Sequence, residues 1–406
     1  RQGERLSVAV TNDLPQDTTI HWHGVRVPNA MDGVPHLTQK PIAPGEQFIY
    51  EFDLKDSGSY WYHPHERSHE QVTRGLFGAL IVEEKKPPAV DRDVVWLLND
   101  WRLRPDATLH SDFDNLHDMT HAGRIGNTVT LNGRFANRGN SFEVRAGERI
   151  RLRLINAASA RIFSLAFSGH RPIIIAYDGQ AVTPHLPPGE RIVLGPATRV
   201  DCLVDCRGRP QERFDVTDDF YRDRAYRIAE LVYRDEAPLA AGRFAPPTML
   251  PANRLPEPDI KGAARHQIVF EGGAMGGLRA ATVDGKNMPI DEMLRGEGLA
   301  WSINGIAQRH HTHAPLLAFK RGQHVLLMMK NDTVWHHPIH LHGHSFRVIS
   351  RNGRPSELRE WRDTVLMEPK ESMEIAFVAD NPGDWMFHCH ILQHQQGGMM
   401  ATLRVG

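Results

Sequence analysis

Three stretches of this chain can be laid over one another without a gap: "RQGERLSVAVTND" at 1–13, "RAGERIRLRLINA" at 145–157 and "KRGQHVLLMMKND" at 320–332. Each is a Gly turn followed by alternating apolar and polar residues and closed by an Asn, the pattern of a turn feeding a half-buried strand. The agreement runs past the Asn. Nine residues on stand "HWHG" (His21–Gly24), "LAFS" (Leu165–Ser168) and "HLHG" (His340–Gly343). A second pair, "GSYWYHPH" at 58–65 and "GDWMFHCH" at 383–390, matches between the first and third copies. A repeat longer than any solenoid unit is a duplicated domain.

The runs between the repeats set the fold class. "QFIYEFDL", "RIRLRLIN" and "EIAFVADNPGDWMFH" are short and alternating and are bounded by Gly and Pro. That predicts an all-β chain of three homologous antiparallel β-sandwich or Greek-key barrel domains. With 406 residues the chain exceeds what one core organises. "EEKKPPAV" (83–90) is a charged, Pro-bearing link, and "DEAPLAAGRFAPPTMLPANRLPEPD" (235–259) is too aperiodic for a strand or helix. The expected units are 1–86, 87–236 and 263–406, with a Pro-rich linker at 237–262. A short helical piece is expected in "IDEMLRGEG" (290–298). Asn-Gly segments precede the shared turn in the second and third units, "TLNGRF" (130–135) and "SINGIA" (302–307). The first unit has no counterpart, so its domain is expected without an opening strand.

Charge excludes some partners. Forty-eight basic residues against 49 acidic give a net charge of −1, which offers no field for nucleic acid or anionic lipid. No apolar run approaches the roughly 18 residues of a membrane-spanning helix, and the first residues lack the apolar core of a signal peptide. Cysteine is scarce. Cys202 and Cys206 lie in "RVDCLVDCRG", where a strand separates them by roughly 13 Å, too far for a disulfide, and they read as buried strand residues. Histidine is the outlier, with 24 copies.

Residues two apart on a strand share a face. His21 with His23, His63 with His65, His340 with His342 and His388 with His390 therefore each present two imidazoles side by side. Four such pairs at repeat-equivalent places make a site for several borderline metal ions. The middle unit has Leu165 and Phe167 instead. Cys389 lies between His388 and His390, so its sulfur points to the opposite face. There it can join His394, five positions on, Met399, and His337, three before His340. Two imidazoles, one thiolate and a long axial thioether form the blue-copper arrangement. Zinc or an iron–sulfur cluster would need more thiolates.

"HWHG", "HPH", "HPIHLHGH" and "HCHILQHQQGGMM" together resemble the four signatures of the multicopper oxidases, in the bacterial laccase-like branch built of three cupredoxin domains. The resemblance spans residues 1 to 406. It implies four copper ions per chain: a type 1 copper on His337, Cys389 and His394 with Met399 axial; a type 2 copper on His21 and His340; and a type 3 pair on His23, His63, His65, His342, His388 and His390. It implies one-electron oxidation of phenols or aromatic amines coupled to reduction of O2 to water, with electrons passing from Cys389 to His388 and His390. It implies a periplasmic or secreted place. Asp32 matches the acidic residue that relays protons in relatives. A second acid that often follows the last type 1 histidine is here Gln395, which cannot relay a proton at neutral pH.

Other residues read as structural. His310, His311 and His313, and His110, His117 and His121, are expected to be solvent-exposed loop histidines. Met400, Trp335 and Trp385 are expected to pack, and His336 is passed over for His337. Met275, Met288 and Met293 lie in the segment 275–299. If that segment binds Cu(I), the chain is a metallo-oxidase of Cu(I) or Fe(II). A non-enzymatic copper-binding or structural cupredoxin protein would have lost ligands, and none of the twelve positions is lost. The partners expected are O2 and a small reducing substrate, with no nucleic acid and no membrane span.

Overall fold

The shared Asn explains the repeat. In the computed structural model, which describes residues 1–136, 140–239 and 244–406, Asn12, Asn156 and Asn331 are buried at the end of the same strand. Each amide nitrogen donates to two carbonyls, one nearby and one distant: Gln16 and Ile42, Arg161 and Leu194, Trp335 and Glu368. Each amide oxygen accepts the backbone N–H two residues on, at Leu14, Ala158 and Thr333. A buried amide bonded at both ends fixes where the strand stops and the loop begins. The turns before these strands hold Gly3, Gly147 and Gly322 at φ of +91, +87 and +83, a region open to glycine without steric cost.

The first proposed unit has a two-stranded and a three-stranded sheet, the second and third each have a seven-stranded and a five-stranded one, and the third adds a two-stranded hairpin, Ala280–Val283 with Lys286–Pro289. The all-β, cupredoxin-like architecture is as expected, but the sheets are not wholly antiparallel. Arg149–Asn156 runs antiparallel to Arg199–Asp205 and parallel to Arg92–Trp101. Gln323–Asn331 repeats this with Ser372–Ala379 and Ala264–Gly272. A parallel neighbour needs a crossover, so the chain must leave the sheet between the two strands. The Asn-Gly segments seat on those parallel partners: Asn132 on Leu97 and Val95, Asn304 on Val269 and Gln267. Arg5–Thr11 pairs with Gln47–Asp53 and has no parallel neighbour among the described residues.

Three large cores lie around Tyr50 and Phe52, around Trp96 and Phe163, and around Trp301 and Phe346. Leu165 and Phe167 fill the second, where the other units place histidine. Cys202 and Cys206 are buried there as free thiols. Between Tyr233 and Ala264 no helix or strand occurs among the described residues, and residues 240–243 of the expected linker lie outside them. The linker is tied down at Asn253. Asn253 accepts the N–H of Ser57 at 3.0 Å and donates to Gln180 at 2.9 Å, tying it to two units. Residues 290–298 form a short helix, Ile290–Glu292, running into one wide turn, Met293–Glu297.

One expectation changes. The strand Arg149–Asn156 is buried on both faces, not one. Ile150, Leu152 and Leu154 enter the core, and the first unit covers the other face, where Arg151 meets Glu84 and Asp201 at 2.7 and 2.6 Å. Arg199 binds all three units. It donates to the Ser59 carbonyl at 3.1 Å and forms a two-pronged pair with Asp363, with Asp178 at 3.6 Å. Arg199 is 0 % exposed, and burial without partners would cost several kcal/mol. Gly24 of "HWHG" is glycine because a Cβ there would meet the Arg199 guanidinium at 2.3 Å and the Asp363 carboxylate at 2.4 Å. We predict that Arg199→Leu, which strands two buried carboxylates, costs about 3 kcal/mol, read as a lower chemical-unfolding midpoint of the copper-free protein.

Candidate metal centres

The histidine pairs come from two strand pairs that face each other. His21–His23 runs antiparallel to Gly58–His63 with His21 opposite His63. In the third unit, His337–Leu341 runs antiparallel to Gly383–Cys389 with His340 opposite His388. Rings from the two units stack across the boundary, His21 on His342 at 3.9 Å and His23 on His340 at 3.8 Å between centroids. His342 Nε2 lies 3.1 Å from His388 Nε2, and His390 Nε2 lies 3.4 Å from His63 Nε2. Three sets of donor atoms fall within 4.8 Å of one another: His21, His23 and His63; His21, His340 and His342; His65, His342 and His388. All eight histidines are buried.

Six of the eight rings hydrogen-bond to a protein oxygen through one nitrogen. His21 Nδ1 donates to the Asp32 carbonyl at 2.8 Å, His340 Nδ1 to the Asp363 carbonyl at 2.8 Å, and His63 and His388 to the carbonyls of Pro64 and Cys389. His342 Nδ1 donates to Asp32 Oδ2 at 2.9 Å, and His23 Nε2 to Asp363 Oδ1 at 3.1 Å. Such bonds set the tautomer and aim the remaining nitrogen. Asp32 thus sits behind two of the rings. Asp363 plays the matching part on the other side, and the sequence reading missed it. Its only signal was an acid in the apolar run "RDTVLM", whose partner Arg199 lies in another unit.

On the opposite face, Cys389 Sγ lies 3.4 Å from His337 Nδ1 and 3.7 Å from His394 Nδ1. The turn after Cys389 enters the short helix Leu392–Gln396, which swings His394 back. Met399 is buried beside them: its carbonyl accepts the Cys389 N–H at 3.1 Å, and its N–H reaches the His394 carbonyl at 2.9 Å. His336 points elsewhere, against Phe220. Trp385 is buried in the core and Met400 packs with Val34, Leu37 and Met386, as expected.

Two of the outlying histidines depart from expectation. His121 and His311 are not free loop side chains. Residues 116–121 fold over the sulfur-bearing site, and the His121 carbonyl accepts a hydrogen bond from His394 Nε2 at 2.6 Å. His117 stacks on His121 at 4.0 Å, and Trp335, only half-buried, packs edge-on to His121. His311 is half-buried with its ring 5.6 Å from that of His65, and burial beside His36 and His310 pulls its pKa to about 4. His310 and His313 are exposed. No sequence signal shows these contacts, since they join units far apart in the chain. The methionines also divide. Met293 is buried in a small satellite core against which Met288 packs, whereas Met275 is 76 % exposed.

Do these residues suit copper? His21 Nε2, His23 Nδ1, His340 Nε2, His390 Nδ1 and both nitrogens of His65 are buried without a hydrogen-bond partner. Such atoms are costly unless a cation meets them. Burial holds His23, His63, His65, His337, His340, His342 and His390 well below the usual imidazole value of 6.5, and takes His388 and His394 to about 3. Neutral imidazole is the ligand form. Burial also pushes the Cys389 thiol up, while the Ile391 N–H donates to its sulfur at 3.4 Å. The donor set fits copper, with one thiolate and otherwise imidazole nitrogen. Because folding depresses these values, the unfolded chain binds more protons below pH 6.5. We predict that the copper-free protein has full stability above pH 6.5 and loses it as the pH falls towards the folded values. The melting temperature should drop between pH 6.5 and 5, before most carboxylates titrate, and far less with copper bound.

The geometry agrees with comparisons across known proteins. Three multicopper oxidase family models match, at residues 1–87, 92–231 and 283–406. The chain is 30 % identical to multicopper oxidase MmcO of Mycobacterium tuberculosis over 433 aligned residues, covering 99 % of this chain and 79 % of that protein. It superposes on the crystal structure of a multi-copper oxidase from Pseudomonas thermotolerans with a TM-score of 0.86 at 33 % identity, covering 100 % of this chain and 90 % of that one. A multicopper oxidase from Campylobacter jejuni, described as a metallo-oxidase, gives 0.81 at 29 % identity, covering 100 % and 83 %. Repeat, fold, donor set and relatives converge: the chain belongs to the multicopper oxidase family and is a copper-binding oxidoreductase.

Proposed function

We propose that the chain is a laccase-like oxidase that takes single electrons from small donors, phenols or aromatic amines, and delivers them to O2. In this reading four coppers are held: type 1 by His337, Cys389 and His394 with Met399 axial, type 2 by His21 and His340, and the type 3 pair by His23, His63, His65, His342, His388 and His390. The observation that carries it is the strand Gly383–Cys389, with sulfur on one face and imidazoles of the adjoining residues on the other. The chemistry that copper supplies when bound is one-electron oxidation of the donor and four-electron reduction of O2 to water.

The chain's own residues do the rest. Cys389, bonded through its backbone to His388 and His390, is the shortest covalent connection between the two sites. Asp32 and Asp363 orient the rings they touch. The buried Asp32 carboxylate, bonded to His342 and 3.2 Å from His21, is placed to hold and move a proton. Gln395 cannot do this, and Glu66, Asp114 and Glu297 are the carboxylates that share its cavity. Burial excludes water. Among the described residues no helix is long and apolar enough to cross a membrane, and a periplasmic or secreted place belongs to the same reading.

A specific observation favours a second reading, oxidation of Cu(I) or Fe(II). The His394 edge that a flat aromatic donor would touch is covered by the His121 carbonyl. Met288 and Met293 do not supply a metal site, being packed, but Met275 stands exposed, and Ala274 before it bonds Thr120 at 2.7 Å beside the cap. We predict that Cys389→Ser abolishes blue colour and lowers O2 uptake with any donor to background; retained colour and uptake would sink the assignment. Met275→Leu separates the readings. If Cu(I) is the donor, the ratio of Cu(I) to aromatic-amine turnover falls about tenfold; a constant ratio supports the laccase-like reading.

A further inference from the structure

Eight histidines that are 2 % exposed or less cannot take a metal directly from water. A cavity reaches one of them, His65. It has a volume of about 730 Å³ and opens where the three units meet, lined from the first unit by His65, from the second by Asp114 and from the third by Gln395. His65 is the member of the eight whose two ring nitrogens are both buried without a partner. The Gln395 side-chain oxygen is likewise buried and unbonded. The interior of this cavity therefore offers bare donor atoms that no protein group satisfies.

The outer wall continues the same chemistry. His36 and His310 are exposed on it, and His311 lies between them and the interior, its ring 5.6 Å from that of His65. Glu66 is on the wall with no ion-pair partner among the described residues, while Arg67 and Arg309 there are held by Glu70 and Glu297. The wall presents a carboxylate to an incoming cation and imidazoles to carry it. Imidazole suits copper, and a series of like donors makes each exchange of partner nearly even in energy. Cys389, His337 and His394 do not line this cavity.

We propose that this cavity is the loading route of the eight-histidine centre: a copper ion is taken up between His36 and His310 and handed through His311 to His65. The step is ligand exchange alone, with no change of oxidation state. It rests on the reading of the eight histidines as copper ligands, and it makes loading of the centre at Cys389 an independent event.

The test follows copper uptake rather than turnover. Copper-free full-length protein carrying His36→Asn and His310→Ala is mixed rapidly with copper. Both side chains are exposed, and Asn tolerates the φ of +63 at position 36. The near-ultraviolet absorption and EPR signal of the histidine centre should rise about tenfold more slowly, the scale on which a charged, donor-lined cleft speeds cation entry. The blue absorption at Cys389 should rise at the unmodified rate, and the final copper content should equal that of the unmodified protein. Adding His311→Ala should slow filling further. Filling of the histidine centre at the unmodified rate, or equal slowing of both centres, would overturn the route. So would a lower final copper content, which would make these histidines resident ligands. If the unmodified protein shows blue colour but never fills a histidine centre, the ligand reading itself fails and the route falls with it.

Discussion

Eight imidazoles buried at one boundary are the constraint on which the structure depends. An imidazole has two polar nitrogens, and burying it leaves each to be bonded or bare. Here the protein bonds the outer nitrogen of most of these rings and leaves inner ones bare. That arrangement is unfavourable in isolation and becomes favourable around a cation. Folding takes these rings out of water, which is why burial and imidazole basicity move together at this boundary.

The rest of the architecture holds that boundary closed. Asp32 and Asp363 act as a pair, each using its backbone carbonyl on one histidine and its carboxylate on another. Asp363 is held by Arg199 from the second unit, which has no histidine pairs of its own. The second unit is thus more than a spacer. Through Arg199 it locks the histidine centre from behind, and through residues 116–121 it roofs the sulfur centre.

Much of the fold was legible because it is written in local periodicity. Alternation marked the strands, and the repeat marked the three units. The buried Asn that closes each repeat turned out to have one bonding pattern in all three. The parallel pairs were not legible, since alternation is the same whichever way a neighbour runs. Nor was the double burial of Arg149–Asn156, whose arginines read as a solvent face until the first unit covered them.

The histidine and cysteine spacings by themselves determined that two donor sets point to opposite faces of one strand, because side chains alternate along any extended backbone. Only the tertiary structure decided which atoms of those side chains are bare, which carboxylates stand behind them, and that His394 is covered while Met293 is buried and Met275 is not. The reason is physical. Face is a property of neighbours in the chain, whereas burial and hydrogen-bond partnership are properties of neighbours in space, and here those partners come from units hundreds of residues apart, as with Asp32 and His342.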